Sequence, residues 1–220
     1  MSKVYFVTGI DTNVGKTIAT GLIAKALANA GKSVITQKLV QTGCEGLSED
    51  IEMHRKIQGI PLTTFDKRKT TCSYVFTYPC SPHMAAKRDK KKINCQKITN
   101  ATEKLADKYD FVLLEGAGGL MVPLYKNLLT IDYIRECRYP IILVTNGRLG
   151  SINHTLLALA ACRLYQLQVA AIYFNQYPNE DEEITAETYK YLKKRLPEIP
   201  VLLLPDISKD ETLPEIDVLL

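Results

Sequence analysis

Val4-Tyr5-Phe6-Val7-Thr8-Gly9-Ile10-Asp11-Thr12-Asn13-Val14-Gly15-Lys16-Thr17 decides the fold. A short apolar run, Val4 to Val7, enters a loop bounded by Gly9 and Gly15, and Gly-Lys-Thr then opens a stretch with helical spacing. In that stretch Ile18, Leu22, Ile23, Ala26, Leu27 and Ala30 recur every three or four positions, and Gly31 supplies a stop. Strand, glycine loop and helix in this order form a Walker-type P-loop, with five residues between its glycines where the usual spacing has four. Such a loop curls so that backbone N–H groups and the helix N-terminus face phosphate. Lys16 adds a point charge, and the Thr17 hydroxyl is placed to ligate Mg²⁺.

Further apolar runs follow the same plan at Val34 to Val40, Phe111 to Leu114, Ile141 to Val144, Val169 to Phe174 and Val201 to Leu204. They are short and rich in β-branched residues, as strands buried on both faces are. Helical patterns occupy about 94–108, 151–166 and 182–195, while Pro61 to Pro82 reads as irregular with one strand at Ser73 to Thr77. The expectation is a single α/β domain over residues 1–220, doubly wound on a mostly parallel sheet of about seven strands. Ligands of such sheets collect at the carboxyl ends of the strands. Glu115 ends the run Phe111–Leu114 and is followed by Gly116-Ala117-Gly118-Gly119, the form of a Walker B strand, so it should face Thr17. Lys38 lies at the end of the second strand, where a lysine is costly unless it reaches a cleft. Gly150-Ser151 opens a helix after the strand Ile141 to Thr145, and its free N–H groups suit a carboxylate.

Composition narrows the class. With 46% hydrophobic and 24% charged residues the 220-residue chain reads as globular, and its longest apolar run, the seven residues Leu156 to Cys162, falls far short of a membrane span. The N-terminus does not read as a signal peptide, so a cytoplasmic location is expected. Six scattered cysteines without metal spacing read as reduced core thiols. The net charge of +4 is regional: residues 67–104 hold ten Lys plus Arg against Asp89 and Glu103, and the rest of the chain carries 18 basic and 22 acidic residues. The run Lys87-Arg88-Asp89-Lys90-Lys91-Lys92 lacks interleaved aromatics and reads as a solvated helix end, so neither a nucleic-acid nor a membrane partner is expected.

GIDTNVGKT, KLVQTG, SPH, EGAGG followed by VPL, and LGSINH, in this order from residue 4 to about 175, resemble the dethiobiotin synthetase family. The resemblance implies an ATP- and Mg²⁺-dependent homodimer that joins 7,8-diaminopelargonic acid and CO₂ into dethiobiotin, with substrate at the subunit interface. It implies Lys38, Lys16 and Thr12 at the reacting groups, and Asn13, Val14, Gly15, Lys16, Thr17 and Ile18 around the phosphates, with Asn175 reading adenine. Thr42, Gly118, Gly150, Ser151, Asn153 and Tyr189 would bind substrate, Tyr189 from the neighbouring subunit, and Thr17, Asp50 and Glu115 would hold Mg²⁺. Glu49 and Asp50 both lie at a helix start, where acids also serve the dipole. The family motif favours Asp50. Asn13 stands where much of the family has glutamate, and the divergent tail after Pro205 suggests loose nucleobase selectivity. His154 reads as a structural residue of its helix start, His83 has no legible role, and His54 has no supporting neighbours. The rival is a partition or septum-positioning ATPase, which would usually carry a second P-loop lysine where this chain has Ile10 and Asp11.

Overall fold

A computed structural model describes residues 3–177, 181–207 and 216–218. In chain order β1 (Lys3–Gly9) leads through the P-loop into α1 (Lys16–Asn29), followed by β2 (Val34–Lys38), β3 (Gln41–Thr42), α2 (Glu49–Gln58) and α3 (Thr64–Lys67). Next come β4 (Val75–Phe76), α4 (Pro82–Arg88), α5 (Cys95–Ala106), β5 (Phe111–Glu115), β6 (Pro123–Tyr125), β7 (Leu128–Leu129) and α6 (Thr130–Cys137). The chain continues with β8 (Ile141–Asn146), α7 (Ser151–Leu164), β9 (Val169–Asn175), α8 (Glu182–Arg195) and β10 (Val201–Leu204).

Among the described residues the central sheet has six strands in the order β10-β9-β8-β1-β5-β2, all parallel, rather than about seven. The segment Ser73 to Thr77 yields only the two residues of β4, which pair with β3 in a separate parallel ribbon, and β6 and β7 form an antiparallel one. The partner strand β3 offers only Gln41 and Thr42, and the Thr77 N–H turns away to Asp89 Oδ2 at 3.4 Å, so β4 ends there. Strand alternation splits the core between the two faces. Phe6, Leu114, Ile141, Leu143 and Phe174 pack on one, while Tyr5, Val7, Leu113, Ile142, Val144 and Tyr173 pack with Leu22, Ile23 and Leu27 of α1 on the other. This is why the runs read as continuously apolar.

Helix starts divide into two kinds. Ser48, Asn94 and Asp181 cap α2, α5 and α8 by accepting a backbone N–H, whereas α1 and α7 begin on Gly15 and Gly150, both left-handed, with no side-chain cap. First-turn donors of α1 and α7 are therefore free of side-chain caps. The basic run after α4 is not bare of aromatics: the Arg88 guanidinium lies 3.8 Å from the Tyr78 ring centroid and Lys91 5.8 Å from that of Phe76. Those rings come from the irregular segment before α4, too far away in sequence to look interleaved.

Candidate active site

The P-loop is shaped by two left-handed residues, Asn13 (φ 59°) and Gly15 (φ 95°). Asparagine tolerates that region better than other side chains with a Cβ. At Gly15 a Cβ would also come within 2.3 Å of the Asn175 amide nitrogen, so only glycine fits. Thr12 and Asn13 are exposed at the tip, Val14 is buried beneath it, and Ile18 is half-buried in the first turn of α1. The Lys16 ammonium donates to the Asp11 carbonyl at 2.8 Å, so in this state it folds back over its own loop. Burial, reinforced by the nearby Lys38 cation, pushes Lys16 down to about 8. Asp11 accepts the Thr12 N–H at 2.7 Å and the Arg148 guanidinium at 2.5 Å, tying the P-loop to the turn before α7.

Register sets the charged cluster: Lys38 at the end of β2 pairs directly with Glu115 at the end of β5. The Lys38 ammonium donates to Glu115 Oε1 at 2.7 Å and to the Gly116 carbonyl at 3.0 Å, and it meets Asp50 Oδ2 at 2.5 Å. Thr17 Oγ1 lies 3.1 Å from both Asp50 Oδ1 and Glu115 Oε1. Asp50, not the exposed Glu49, thus meets the cluster. Burial opposes the charge of Glu115, but Lys38 and His54 beside it more than offset that and hold its carboxyl well below the usual range. Burial likewise opposes the Lys38 charge, and Glu115 and Asp50 together drive its pKa upward instead. Thr17, Asp50 and Glu115 present three converging hard oxygen groups, and the two carboxylates already attract one cation, the Lys38 ammonium. That donor set suits Mg²⁺, which takes carboxylate and hydroxyl oxygens and retains waters.

These groups open on a cleft of about 1310 Å³ at the carboxyl ends of β1, β2 and β5. Thr12, Asn13, Gly15, Lys16, Thr17 and Ile18 line its P-loop side, and Lys38, Thr42, Asp50, Glu115, Gly118 and Asn175 line the rest. Asn175 is nevertheless engaged: its amide donates to the Val14 carbonyl at 3.1 Å and the Tyr177 carbonyl at 2.8 Å, and its oxygen accepts the Tyr177 N–H at 3.1 Å. It buttresses the back of the P-loop.

Gly150, Ser151, Asn153 and Tyr189 do not border this cleft. Ser151 is wholly buried and donates to Asn146 Oδ1 at 2.6 Å, fixing α7 to the end of β8, while Asn153 and His154 are exposed. Tyr189 is packed inward, its ring centroid 5.4 Å from that of Phe174 and its hydroxyl 3.4 Å from the Val201 carbonyl at the start of β10. His83 is exposed on α4, outside the cleft.

His54 is the residue the sequence reading passed over. It is wholly buried, with Nε2 2.8 Å from Glu115 Oε2 and Nδ1 3.0 Å from Thr36 Oγ1. A signal was available, because His54 follows Asp50 by one helical turn and so shares its face of α2. The adjacent Arg55 is also buried and holds Asp66 through two 2.9 Å bonds.

A parallel sheet carrying a P-loop, with a lysine and two carboxylates gathered at its strand ends, defines a nucleotide-dependent α/β enzyme of the P-loop class. The AAA domain family model matches residues 3–209. ATP-dependent dethiobiotin synthetase BioD 2 of Pasteurella multocida is 55% identical over 196 residues, covering 89% of this chain and 92% of the relative. The protein of the same name in Haemophilus influenzae is 59% identical over 181 residues, covering 82% and 95%, and BioD of Chlorobaculum tepidum is 49% identical over 194 residues, covering 88% and 81%. The chain belongs to the ATP-dependent dethiobiotin synthetase family. Among solved structures, MinD of Aquifex aeolicus superposes with a TM-score of 0.56 at 16% identity, covering 94% of this chain and 84% of MinD. A ParA family ATPase from Chlorobium tepidum superposes with a TM-score of 0.55 at 14% identity, covering 96% and 86%. The rival partition and septum-positioning class therefore shares the fold alone.

Proposed function

We propose that this enzyme carboxylates 7,8-diaminopelargonic acid with CO₂ and closes the ureido ring of dethiobiotin with cleavage of ATP. The observation that carries the reading is the convergence of Lys16, Thr17, Lys38, Asp50 and Glu115 on one cleft, in a chain with dethiobiotin synthetases as relatives. One substrate amine adds to CO₂ and loses a proton, giving a carbamate. A carbamate oxygen takes the γ-phosphoryl group of ATP and releases ADP. The second amine then attacks the carbonyl carbon of this anhydride, expelling phosphate and a proton as the ring closes. Negative charge stays on carbamate and phosphoryl oxygens throughout, so catalysis rests on positioned cations and donors.

Lys16 and the uncapped start of α1 serve the phosphates, Lys38 the carbamate, and Thr12 and Thr42 supply hydroxyls on either side of the cleft. Thr17, Asp50 and Glu115 would hold Mg²⁺, which supplies charge neutralisation to the phosphates when bound. Asn13, Val14, Gly15 and Ile18 complete the nucleotide side, with Asn175 acting through the P-loop backbone it braces. Gly118, left-handed at φ 74°, lets backbone approach the substrate from the other wall.

The working form is a homodimer. The helix α7 is apolar without break from Leu156 to Cys162, yet Leu157 and, further on, Leu164 are 60% and 79% exposed and Leu149 just before the helix is 85% exposed. A helix of that kind belongs against another surface. A second copy seated there would bring Gly150, Ser151 and Asn153 of one subunit toward the substrate carboxylate of the other. We place the reaction in the cytoplasm. ATP hydrolysis should require both diaminopelargonic acid and bicarbonate; hydrolysis indifferent to both would replace this reading with a switch ATPase.

A further inference from the structure

We propose that His54 is a positioning residue for Glu115, held in a one-directional chain of hydrogen bonds that starts at Arg55, which Asp66 anchors. The inference rests on the Mg²⁺ site proposed above. Asp66 fixes Arg55 through paired bonds of 2.9 Å to Nε and Nη2, and is itself held by the Thr63 N–H at 2.7 Å and the Thr71 hydroxyl at 2.7 Å. Arg55 Nη1 donates to Thr36 Oγ1 at 2.7 Å. The Thr36 oxygen thereby receives its hydrogen bond from a group that can only donate, and its own hydroxyl hydrogen has His54 Nδ1 at 3.0 Å as acceptor. The ring nitrogen on the other side, Nε2, faces Glu115 Oε2 at 2.8 Å, and because the ionised carboxylate can only accept, Nε2 carries a hydrogen.

The consequence is a division of labour on one carboxylate. Oε2 is taken by His54, so Oε1 is the oxygen turned toward Thr17 and Lys38. Without the Nε2–H donor Glu115 is held through Oε1 alone, by Lys38 and Thr17, and Oε2 loses the bond that fixes the plane of the carboxylate. Every member of the chain is buried: Thr36 and His54 at 0% exposure, Arg55 and Asp66 at 2%. Such outer-shell donors typically affect metal affinity about 10–100-fold.

The test uses the full-length protein with a non-hydrolysable ATP analogue and Mn²⁺ as the probe, titrated by the loss of the free-ion paramagnetic signal. His54→Leu should weaken Mn²⁺ binding at least about tenfold. His54→Gln, whose amide can reach the place of Nε2, should stay within about threefold of the parent. Equal weakening in both variants would mean that volume rather than the donor matters and would overturn the proposal, as would parental affinity in His54→Leu. Should His54→Leu fail to fold, Thr36→Val and Thr36→Ser decide: the proposal requires weakening in the first and parental affinity in the second, and any other pattern contradicts it. Metal affinity is read without turnover, so failure here leaves dethiobiotin synthesis by the parent enzyme standing as a separate question.

Discussion

Replacing Lys38 by methionine keeps much of the apolar stem and removes one charge from a buried triad. The ammonium has three partners, Asp50, Glu115 and the Gly116 carbonyl, and the Glu115 side chain is 0% exposed. Removing one partner of a buried ion pair costs about 3–5 kcal/mol, because the other charge is left uncompensated. Glu115 retains His54 and Thr17, which argues for the lower end, about 3 kcal/mol. In a chain of this size each kcal/mol shifts Tm by about 2–4 °C, so the variant should melt about 6–12 °C lower in metal-free buffer at neutral pH. The pH dependence has a definite sign. In the parent, the depressed pKa of Glu115 contributes stability that is present above its ordinary value of 4.5 and lost only as pH falls through the depressed value. The raised pKa of Lys38 contributes stability that is complete below its ordinary 10.5 and lost only at higher pH. In the variant the Lys38 contribution is gone while burial still opposes the charge, so the Glu115 carboxyl sits higher than in the parent, takes up its proton sooner, and the gap in Tm narrows as pH is lowered from 7 toward about 5. Differential scanning fluorimetry across that range measures it. An unchanged Tm at neutral pH, or a gap independent of pH, would refute the reasoning. In the same variant dethiobiotin formation should be nearly abolished while nucleotide still binds.

Lys16, pushed down to about 8, should take up a proton when phosphate arrives, so calorimetry near pH 8 in buffers of different ionisation heat should register net uptake and ATP affinity should fall above that pH; buffer-independent heats would contradict this. Asp66→Ala strands the buried Arg55 guanidinium and should cost about 3–5 kcal/mol in urea unfolding, whereas a loss under about 1 kcal/mol would show that the pair is incidental. Leu157→Glu with Leu164→Lys on the exposed face of α7 should shift sedimentation to monomer and abolish turnover, and an active monomer would remove the shared-site reading. With ATP, CTP and GTP compared at equal concentration, turnover should differ by less than about tenfold (1.4 kcal/mol), and strict ATP preference would refute loose selectivity.

What the sequence made legible is what local pattern encodes. Val4 to Thr17 specifies strand, loop and helix within one contiguous stretch, and the rule that ligands gather at strand ends brings Thr17, Lys38 and Glu115 together before any coordinates are seen. The site residues that stayed hidden have partners far away in the chain: His54 meets Thr36 18 residues away and Glu115 61 residues away. A search for neighbours along the chain could not find them, although the one-turn spacing from Asp50 pointed to the shared helix face. Asn175 was legible as a strand-end amide but not as a brace, since Val14 lies 161 residues away. For Tyr189 the sequence carried no sign of the ring's packing against Phe174, which lies 15 residues earlier in the chain. The sixth-versus-seventh strand question turned on β4, where a β-rich run of five letters yields two residues that pair with β3 outside the central sheet, a pairing that no local pattern encodes.

The central claim is ring closure driven by ATP. It is tested most directly by incubating the purified protein with ATP, Mg²⁺, 7,8-diaminopelargonic acid and carbon-13 bicarbonate and analysing the products by mass spectrometry. The expected product is dethiobiotin carrying the label in its ureido carbonyl, with one ADP and one phosphate per ring closed. ATP hydrolysis with no labelled dethiobiotin would contradict it.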